Sequence, residues 1–267
     1  MRRPILLMAT MATALLLGSA VALLSTTSET IAATSLYPDL KTHKPFDLRF
    51  DTATINGTTH KVLRFSNTVW NAGEGRMELR AKTVRTTSGK KSRVTQSIYD
   101  DAGGYTSKNV GDMIFHAGHN HFHFENFATY ELWTKAEYDS WLANGRAKGQ
   151  AMKRGTKTTF CLMDTDRVQP TLTGSPPNAY YSQCSKTLQG ISVGWGDTYG
   201  YYLADQWIDL GTGSYLLDGQ YVLRSVADPS DRLYESANKS ETSRESQQAN
   251  EGVTFFSVQG GAITVTN

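Results

Sequence analysis

Short segments of alternating apolar and polar residues, separated by turns, are the feature that most limits how this chain can fold. Residues 62–65 and 77–80 alternate in this way, and the turn-rich residues 71–75 lie between them. Residues 93–99 are a further strand candidate that ends at the Asp- and Gly-rich residues 100–104. Alternation with a period of two indicates strands with one buried face. Many short strands with Gly-rich turns predict an all-β fold, an antiparallel β-sandwich with long loops and one short helix.

The predicted helix is short and has a clear start. Thr134 is followed three residues later by Glu137, a capping-box pattern that predicts a helix over residues 135–144. A long loop is expected at residues 166–183 and an exposed polar segment at residues 235–251. Further strands are expected at residues 127–133, 158–163, 206–210, 215–217, 221–226, 253–258 and 262–265.

The first 33 residues have the organisation of a secretory signal peptide. Arg2 and Arg3 precede a long apolar run, and a small-residue cleavage site ends at Ala33. An uncleaved membrane anchor is the alternative, because the apolar run is near the length that spans a bilayer. Export and cleavage predict a secreted protein with an irregular lead-in over residues 34–60 and one domain over residues 61–267.

The chain left after cleavage is nearly neutral. Removal of residues 1–33 leaves 234 residues with 25 basic and 24 acidic side chains. This balance gives no case for nucleic acid as a partner. Cys161 and Cys184 are the two cysteines of the sequence. In an exported chain such a pair is more often a disulfide than a metal site or two buried thiols.

Four of the six histidines lie within residues 116–123. His119, His121 and His123 alternate, so in a strand their side chains point to one face. Three imidazoles on one face suit Cu, Zn, Fe or Ni. His116 has the opposite parity and would face away from them in an unbroken strand. A lone histidine is usually structural, but three at strict alternation predict a metal site.

Several motifs occur in a fixed order over roughly residues 60–236. The histidine segment lies among them, followed by a Lys-Thr-Thr-Phe-Cys-Leu segment that begins at Lys157 and an Asp-Thr-Tyr-Gly segment that contains Tyr199. Together they resemble the lysyl oxidase family, the copper-dependent protein-lysine amine oxidases. The other similar segments are residues 63–73, 127–132, 189–192 and 205–209.

The resemblance implies a copper- and quinone-dependent amine oxidase. His119, His121 and His123 match the family's Cu²⁺ ligands. Lys157 and Tyr199 match the residues that cross-link into the cofactor lysyl tyrosylquinone. The implied reaction uses O₂ to convert a primary amine, either peptidyl lysine or a small amine, into an aldehyde, ammonia and hydrogen peroxide. From the charge balance we expect no nucleic-acid partner, and we expect no membrane partner after signal cleavage, because no later stretch resembles a transmembrane helix.

The catalytic base is chosen among three carboxylates that lie near Tyr199 in sequence. They are Asp197, Asp205 and Asp209, and we favour Asp205. A carboxylate in a partly apolar site can have a pKa raised toward the working range. Turn capping or a solvated charge is the alternative for each of them.

The chain departs from animal family members at its cysteines. Gly118 replaces a Cys that they carry before the first ligand histidine, and two cysteines replace their several disulfides. A Cys161–Cys184 bond is therefore predicted by counting alone.

Two other functions remain: a secreted, non-catalytic protein that binds copper or zinc, and a cupin-type oxygenase. The latter would need a later histidine, and none follows His123.

Overall fold

Antiparallel strands make up most of the regular structure in the computed structural model of the chain. It describes residues 32–83, 85–87, 89–117, 120–157, 159–236 and 250–266. One α-helix, α1 (Lys135–Ala143), follows the ninth strand. The strands are β1 (Ser35–Leu36), β2 (Leu40–Thr42), β3 (Phe46–Ile55), β4 (Thr58–Asn71), β5 (Met77–Ala81), β6 (Lys91–Asp100), β7 (Tyr105–His116), β8 (His121–Glu125), β9 (Ala128–Thr134), β10 (Lys153–Arg154), β11 (Thr159–Phe160), β12 (Asp166–Arg167), β13 (Leu188–Ile191), β14 (Trp195–Tyr199), β15 (Trp207–Gly211), β16 (Gly219–Ala227), β17 (Glu251–Gln259) and β18 (Ala262–Val265).

These strands form three sheets. The first has the order β11-β8-β7-β6-β5-β13, with β1 also paired to β6. The second has the order β10-β9-β16-β17-β18. The third has the order β12-β14-β4-β15, with β2 and β3 also paired to β4. The predicted all-β class and antiparallel sandwich are confirmed.

Buried aromatic rings join the three sheets into one core. Phe65 of β4 packs edge-on against Tyr130 of β9, with ring centroids 4.7 Å apart. Tyr130 in turn contacts Phe160 of β11 at 6.2 Å. All three side chains are fully buried, and edge-to-face pairs add to the free energy gained from burial alone. The core therefore reaches the short strand β11, which leads into the candidate site.

The prediction of an irregular lead-in over residues 34–60 is wrong. β3 runs antiparallel to β4, with partners from Phe46↔Ser66 to Ile55↔Thr58. Most side chains of β3 are exposed or half-buried, so its sequence carries little of the apolar alternation that marks a strand. Backbone pairing to the long buried strand β4 makes it a strand instead.

Two other predicted strands differ from the structure. Residues 215–217 lie outside any strand, and the Tyr215 ring packs on Phe50 of β3 with centroids 4.8 Å apart. Residues 158–163 contain only the two-residue strand β11. After Phe160, side chains replace a neighbouring strand as backbone partners: the Tyr199 hydroxyl accepts from the Cys161 N–H, and the Gln189 amide accepts from Leu162. The other predicted strands correspond to β4–β6, β9 and β15–β18.

The predicted helix is confirmed, including its cap. Thr134 has extended backbone angles, and its hydroxyl accepts a hydrogen bond from the Glu137 N–H at 3.3 Å. The same hydroxyl donates to the Glu137 carboxylate at 2.8 Å. The capping interaction satisfies one of the free N–H groups of the first turn.

One compact unit spans Ala33–Asn267. The predicted signal peptide, residues 1–33, lies outside the described residues except for its last two positions. Among the described ranges, no helix is both long and apolar enough to cross a bilayer.

The two ends of the predicted exposed segment 235–251 are buried, although most residues between them lie outside those described. Glu235 and Asn250 are almost fully buried, and the Asn250 side-chain amide donates to the Glu235 carboxyl at 3.0 Å. The Leu40 N–H donates to the other oxygen of that carboxyl. Burial raises the pKa of Glu235 to about 8. The expectation of exposure is therefore wrong at both ends.

We expect the free energy of unfolding to fall as pH rises from about 4.5 to about 8. Below this window Glu235 is protonated in both folded and unfolded chains. Within it, the unfolded chain loses the proton at its ordinary pKa of 4.5 while the folded chain keeps it. Deprotonation therefore lowers the free energy of the unfolded state relative to the folded state. Each unit of pKa difference corresponds to about 1.4 kcal/mol, so the total effect is on the order of a few kcal/mol.

Urea unfolding at pH 5 and at pH 8.5 tests this expectation. Glu235→Gln should have a clearly smaller pH dependence, and the exposed Glu137→Gln should keep it in full. A residual slope of the same sign is expected from Asp228, whose pKa burial raises to about 6, and from Asp197, whose pKa burial raises well above its ordinary value. Equal slopes in the parent and Glu235→Gln would contradict the assignment.

Candidate metal and redox site

The histidine segment forms a hairpin and not one strand. β7 ends at His116 and β8 begins at His121, and these two residues are direct partners across the hairpin. Between them the chain reverses, with Asn120 at a left-handed φ of 57°, a conformation that Asn tolerates well. His119, the first predicted ligand, lies outside the described residues together with Gly118.

The prediction that His116 faces away from the other histidines is wrong. Its ring stacks on that of His123, with centroids 4.2 Å apart and an interplanar angle of 29°. The parity argument assumed an unbroken strand. β7 and β8 are instead antiparallel, with His116 directly opposite His121, so these two residues share one face of the hairpin.

The ring nitrogens of His121 and His123 converge. Their Nε2 atoms lie 3.0 Å apart. Two nitrogens bound to one ion at about 2.0–2.1 Å and at about 90–110° lie about 2.9–3.4 Å apart, so this pair fits metal coordination. The Thr159 hydroxyl lies 3.4 Å from the other nitrogen of His123, Nδ1. Such a contact on the second nitrogen orients a ligand histidine.

A disulfide lies beside these rings. Cys161 and Cys184 are bonded, which confirms the predicted pair, and their Cα atoms are 5.8 Å apart. Their two sulfur atoms and a ring nitrogen of His121 all lie within 4.8 Å of one another. The bond closes a loop with a sequence separation of 23, which is worth on the order of 3 kcal/mol in the chain-entropy model. In this form the sulfurs are not thiolates, whereas the imidazole nitrogens are donors that suit a transition metal.

Tyr199 is held next to the disulfide. It ends β14, and its hydroxyl accepts from the Cys161 N–H and donates to the Cys161 carbonyl, both at 2.9 Å. Its ring meets Phe160 edge-on at 4.8 Å. Burial raises its pKa well above the ordinary value, and the charge of Asp197 adds to the shift. Cys161 therefore lies between Tyr199 and His121: its backbone hydrogen-bonds the Tyr199 hydroxyl, and its sulfur is within 4.8 Å of a ring nitrogen of His121.

Lys157 lies against the same tyrosine ring. Its Nζ is 5.0 Å from the Tyr199 ring centroid and 5.3 Å from that of Phe160. Burial lowers the pKa of this lysine, and Asp205 and Asp197 partly oppose the shift. The fold thus brings together two predicted site residues that lie far apart in sequence.

The three candidate carboxylates have different surroundings. Asp197 precedes Tyr199 by two residues on β14, and only 3 % of its surface is exposed. Burial raises its pKa well above the ordinary value, and its Oδ2 has no hydrogen-bond partner among the described residues. Asp205 is exposed and has a left-handed φ of 62°. Asp209 hydrogen-bonds His60 at 2.9 Å, whereas the carboxylates whose charges act on Lys157 are Asp205 and Asp197.

Gln189 is the residue of the site that sequence reasoning missed. Its side-chain amide donates to the Phe122 carbonyl at 2.6 Å and accepts from the Leu162 N–H at 3.2 Å. It is completely buried. It therefore ties the histidine strand β8 to the segment that carries Cys161. The signal was a long polar side chain in an otherwise apolar strand, residues 188–191.

Comparison with known proteins supports one family. The family model described as Lysyl oxidase matches residues 93–252. The chain belongs to the lysyl oxidase family. The lysyl oxidase match contains the whole histidine hairpin, Lys157, the disulfide and Tyr199.

Individual relatives of the lysyl oxidase family are similar over shorter lengths. Zebrafish (Danio rerio) lysyl oxidase homolog 3B is 31 % identical over 123 residues, 46 % of this chain and 13 % of the relative. Mouse (Mus musculus) lysyl oxidase homolog 4 is 27 % identical over 177 residues, 66 % of this chain and 17 % of the relative. Chicken (Gallus gallus) protein-lysine 6-oxidase is 29 % identical over 125 residues, 46 % of this chain and 24 % of the relative. The aligned part is less than a quarter of each relative.

Proposed function

We propose that this lysyl oxidase family member is a secreted copper- and quinone-dependent amine oxidase. It would oxidise primary amines to aldehydes with O₂, releasing ammonia and hydrogen peroxide. The observation that supports this most is the position of the Lys157 amine, 5.0 Å from the ring centroid of the half-buried Tyr199. A structural lysine is normally solvated, whereas this one is packed on two aromatic rings.

The residues for both cofactors fit the proposal. His119, His121 and His123 would hold Cu²⁺, and Lys157 and Tyr199 would form lysyl tyrosylquinone. Copper supplies one-electron redox chemistry with O₂, and the quinone supplies a two-electron acceptor for the amine. The 3.0 Å approach of the His121 and His123 nitrogens supports the first assignment.

The surrounding side chains prepare Lys157 and Tyr199 for a cross-link. A lysine amine is a nucleophile only when unprotonated, and the lowered pKa of Lys157 increases that fraction. The two hydrogen bonds to the Cys161 backbone fix the Tyr199 oxygen. Phe160 packs against both residues and covers part of the Tyr199 ring.

We propose Asp205 as the base that accepts a proton from the substrate. It is exposed, so an incoming amine can reach it, and its charge acts on Lys157. Its negative charge also suits an ammonium group arriving from water. Asp197, in contrast, is buried beside Lys157 and is suited to balancing the charge of that amine.

Replacement of each aspartate by asparagine tests the assignment. We expect Asp205→Asn to lower kcat/KM for a primary amine by about 10²–10⁴-fold, the usual contribution of a general base, with the cross-link still formed. Asp209→Asn is the matched control and should retain activity, because that side chain bonds His60. A rate loss confined to Asp197→Asn would move the role to the buried carboxylate.

The substrate is proposed to be peptidyl lysine or a small alkylamine. The name of the chicken relative, protein-lysine 6-oxidase, supports the first. Amine oxidation with lysine peptides and with free diamines would rank the two.

Phenylhydrazine labelling of copper-reconstituted protein, followed by peptide mass mapping, tests the proposed function. We expect the label on a cross-linked pair of peptides that contain Lys157 and Tyr199. If copper binds but these peptides remain separate and unlabelled, the protein is instead a non-catalytic copper-binding β-sandwich.

A further inference from the structure

We propose a second metal site, for Cu⁺, in the form of the chain whose cysteines are reduced. Its ligands are Cys161, Cys184 and His121, with Met163 beside them. This site differs from the histidine site in its donor atoms and shares one residue with it. It goes beyond the proposed function, because Cu⁺ binding does not depend on amine oxidation.

The four donor atoms lie close together. The two cysteine sulfurs and a ring nitrogen of His121 fall within 4.8 Å of one another. The Met163 sulfur lies 3.8 Å from that of Cys184. Thiolate and thioether sulfur are the soft ligands that select Cu⁺, and imidazole also binds copper. Three sulfurs and one imidazole form a donor set suited to that ion.

The arrangement does not depend on the S–S bond alone. The Cys161 N–H donates a hydrogen bond to the Tyr199 hydroxyl, and the N–H of the next residue, Leu162, donates one to the Gln189 side chain. Gln189 also bonds the carbonyl of Phe122, the residue after His121, and the carbonyl of Ser185, the residue after Cys184. These contacts hold the segments of all three ligands together after the disulfide opens.

Oxidation of the thiols closes this site. By exchange with a small-molecule disulfide, the two thiols become the Cys161–Cys184 bond and the oxidant leaves as two thiols. The sulfurs are then no longer thiolates, while His121 remains available to the histidine site. The chain thus binds Cu⁺ before oxidation, and the copper ion needs to move only within the reach of His121 when the bond forms.

The test measures Cu⁺ retention without oxygen, using bathocuproine disulfonate as the competing chelator. Reduced protein should retain one Cu⁺ per chain at a chelator concentration that strips the disulfide form. Copper–sulfur scattering should be present in its X-ray absorption spectrum. Cys184→Ser should lose this retention, and His121→Ala should weaken it about tenfold or more. Met163→Leu should weaken it less, and the exposed Met152→Leu is its matched control.

The loss of Cu⁺ retention in His121→Ala distinguishes a folded three-ligand site from binding by any two thiols. Equal retention by the reduced parent and reduced His121→Ala, or by reduced and disulfide forms, would overturn the proposal. Far-ultraviolet circular dichroism checks that the reduced protein keeps its strands. Lys157→Arg lacks the cross-linking amine and should bind Cu⁺ like the parent, so failure of the proposed oxidase activity is distinguishable from failure of this site.

Discussion

Tyr199→Phe is expected to abolish amine oxidation while copper stays bound. A phenylalanine ring lacks the oxygen from which the quinone is built, so the rate should fall by several orders of magnitude, to that of copper-free protein. The ring itself can remain packed on Phe160. Hydrogen peroxide release with a primary amine measures activity, and metal content after dialysis measures copper.

A modest loss of stability accompanies this change and needs a control. The variant loses the two hydrogen bonds to the Cys161 backbone, each worth about 0.5–1.5 kcal/mol. Tyr181→Phe is the matched control, because that buried hydroxyl also has a partner, the Glu78 carboxylate at 2.8 Å. Tyr181→Phe should be destabilised yet active. Activity above background in Tyr199→Phe would remove Tyr199 from the cofactor.

Lys157→Arg tests the other half of the cross-link. Arginine keeps a positive charge over the Tyr199 ring but remains protonated, so it cannot add to an oxidised ring. We expect copper binding to persist and phenylhydrazine labelling of a cross-linked peptide to disappear. Lys153→Arg, at an exposed position of β10, is the control and should label normally.

The sequence predicted the strands that bury one face and missed those held by pairing. β4, β6 and β16 carry enough apolar residues to be located from their own pattern. β3 is mostly exposed and is a strand because β4 provides its partners. Residues 215–217 have strand-like composition, but the Tyr215 ring packs on β3 without backbone pairing. At both segments, contacts with distant parts of the chain determine whether the residues form a strand, and local composition does not.

The candidate site was predicted by residue type and only partly by geometry. Lys157 and Tyr199 were assigned through family resemblance, since no local pattern connects a loop residue with a residue of β14 that lies 199 − 157 = 42 positions later. A period of two gave His121 and His123 a common face but could not anticipate the reversal before His121. The tract contains the turn-forming residue types Gly118 and Asn120, which indicate that the segment is not one continuous strand. Gln189 had only the weak signal of a polar side chain in an apolar strand, because its role depends on two segments that meet only in the folded chain.

The largest expected effect on metal binding comes from His123→Ala. His123 is buried, its Nε2 faces that of His121 at 3.0 Å, and Thr159 orients its second nitrogen. Removal of this ring takes away a proposed ligand and the side chain that stacks on His116. We expect tight Cu²⁺ binding to be lost, measured as metal content after dialysis and by titration against a competing chelator. Amine oxidation should disappear with it.

Substitutions of His116 test whether this residue is a copper ligand or only a ring that positions the ligand His123. A His116 that faced away from the other histidines would leave most copper binding intact in His116→Ala, but the stack on His123 changes the expected size of the effect. We expect His116→Ala to weaken Cu²⁺ affinity about 10–100-fold, the usual cost of losing a group that positions a ligand. His116→Phe keeps a ring in the stack and should recover most of that affinity, whereas His60→Ala, at the Asp209 contact, should change nothing. If His116→Phe binds copper as poorly as His123→Ala, then His116 is itself a ligand, because a phenyl ring replaces the packing but not the nitrogen.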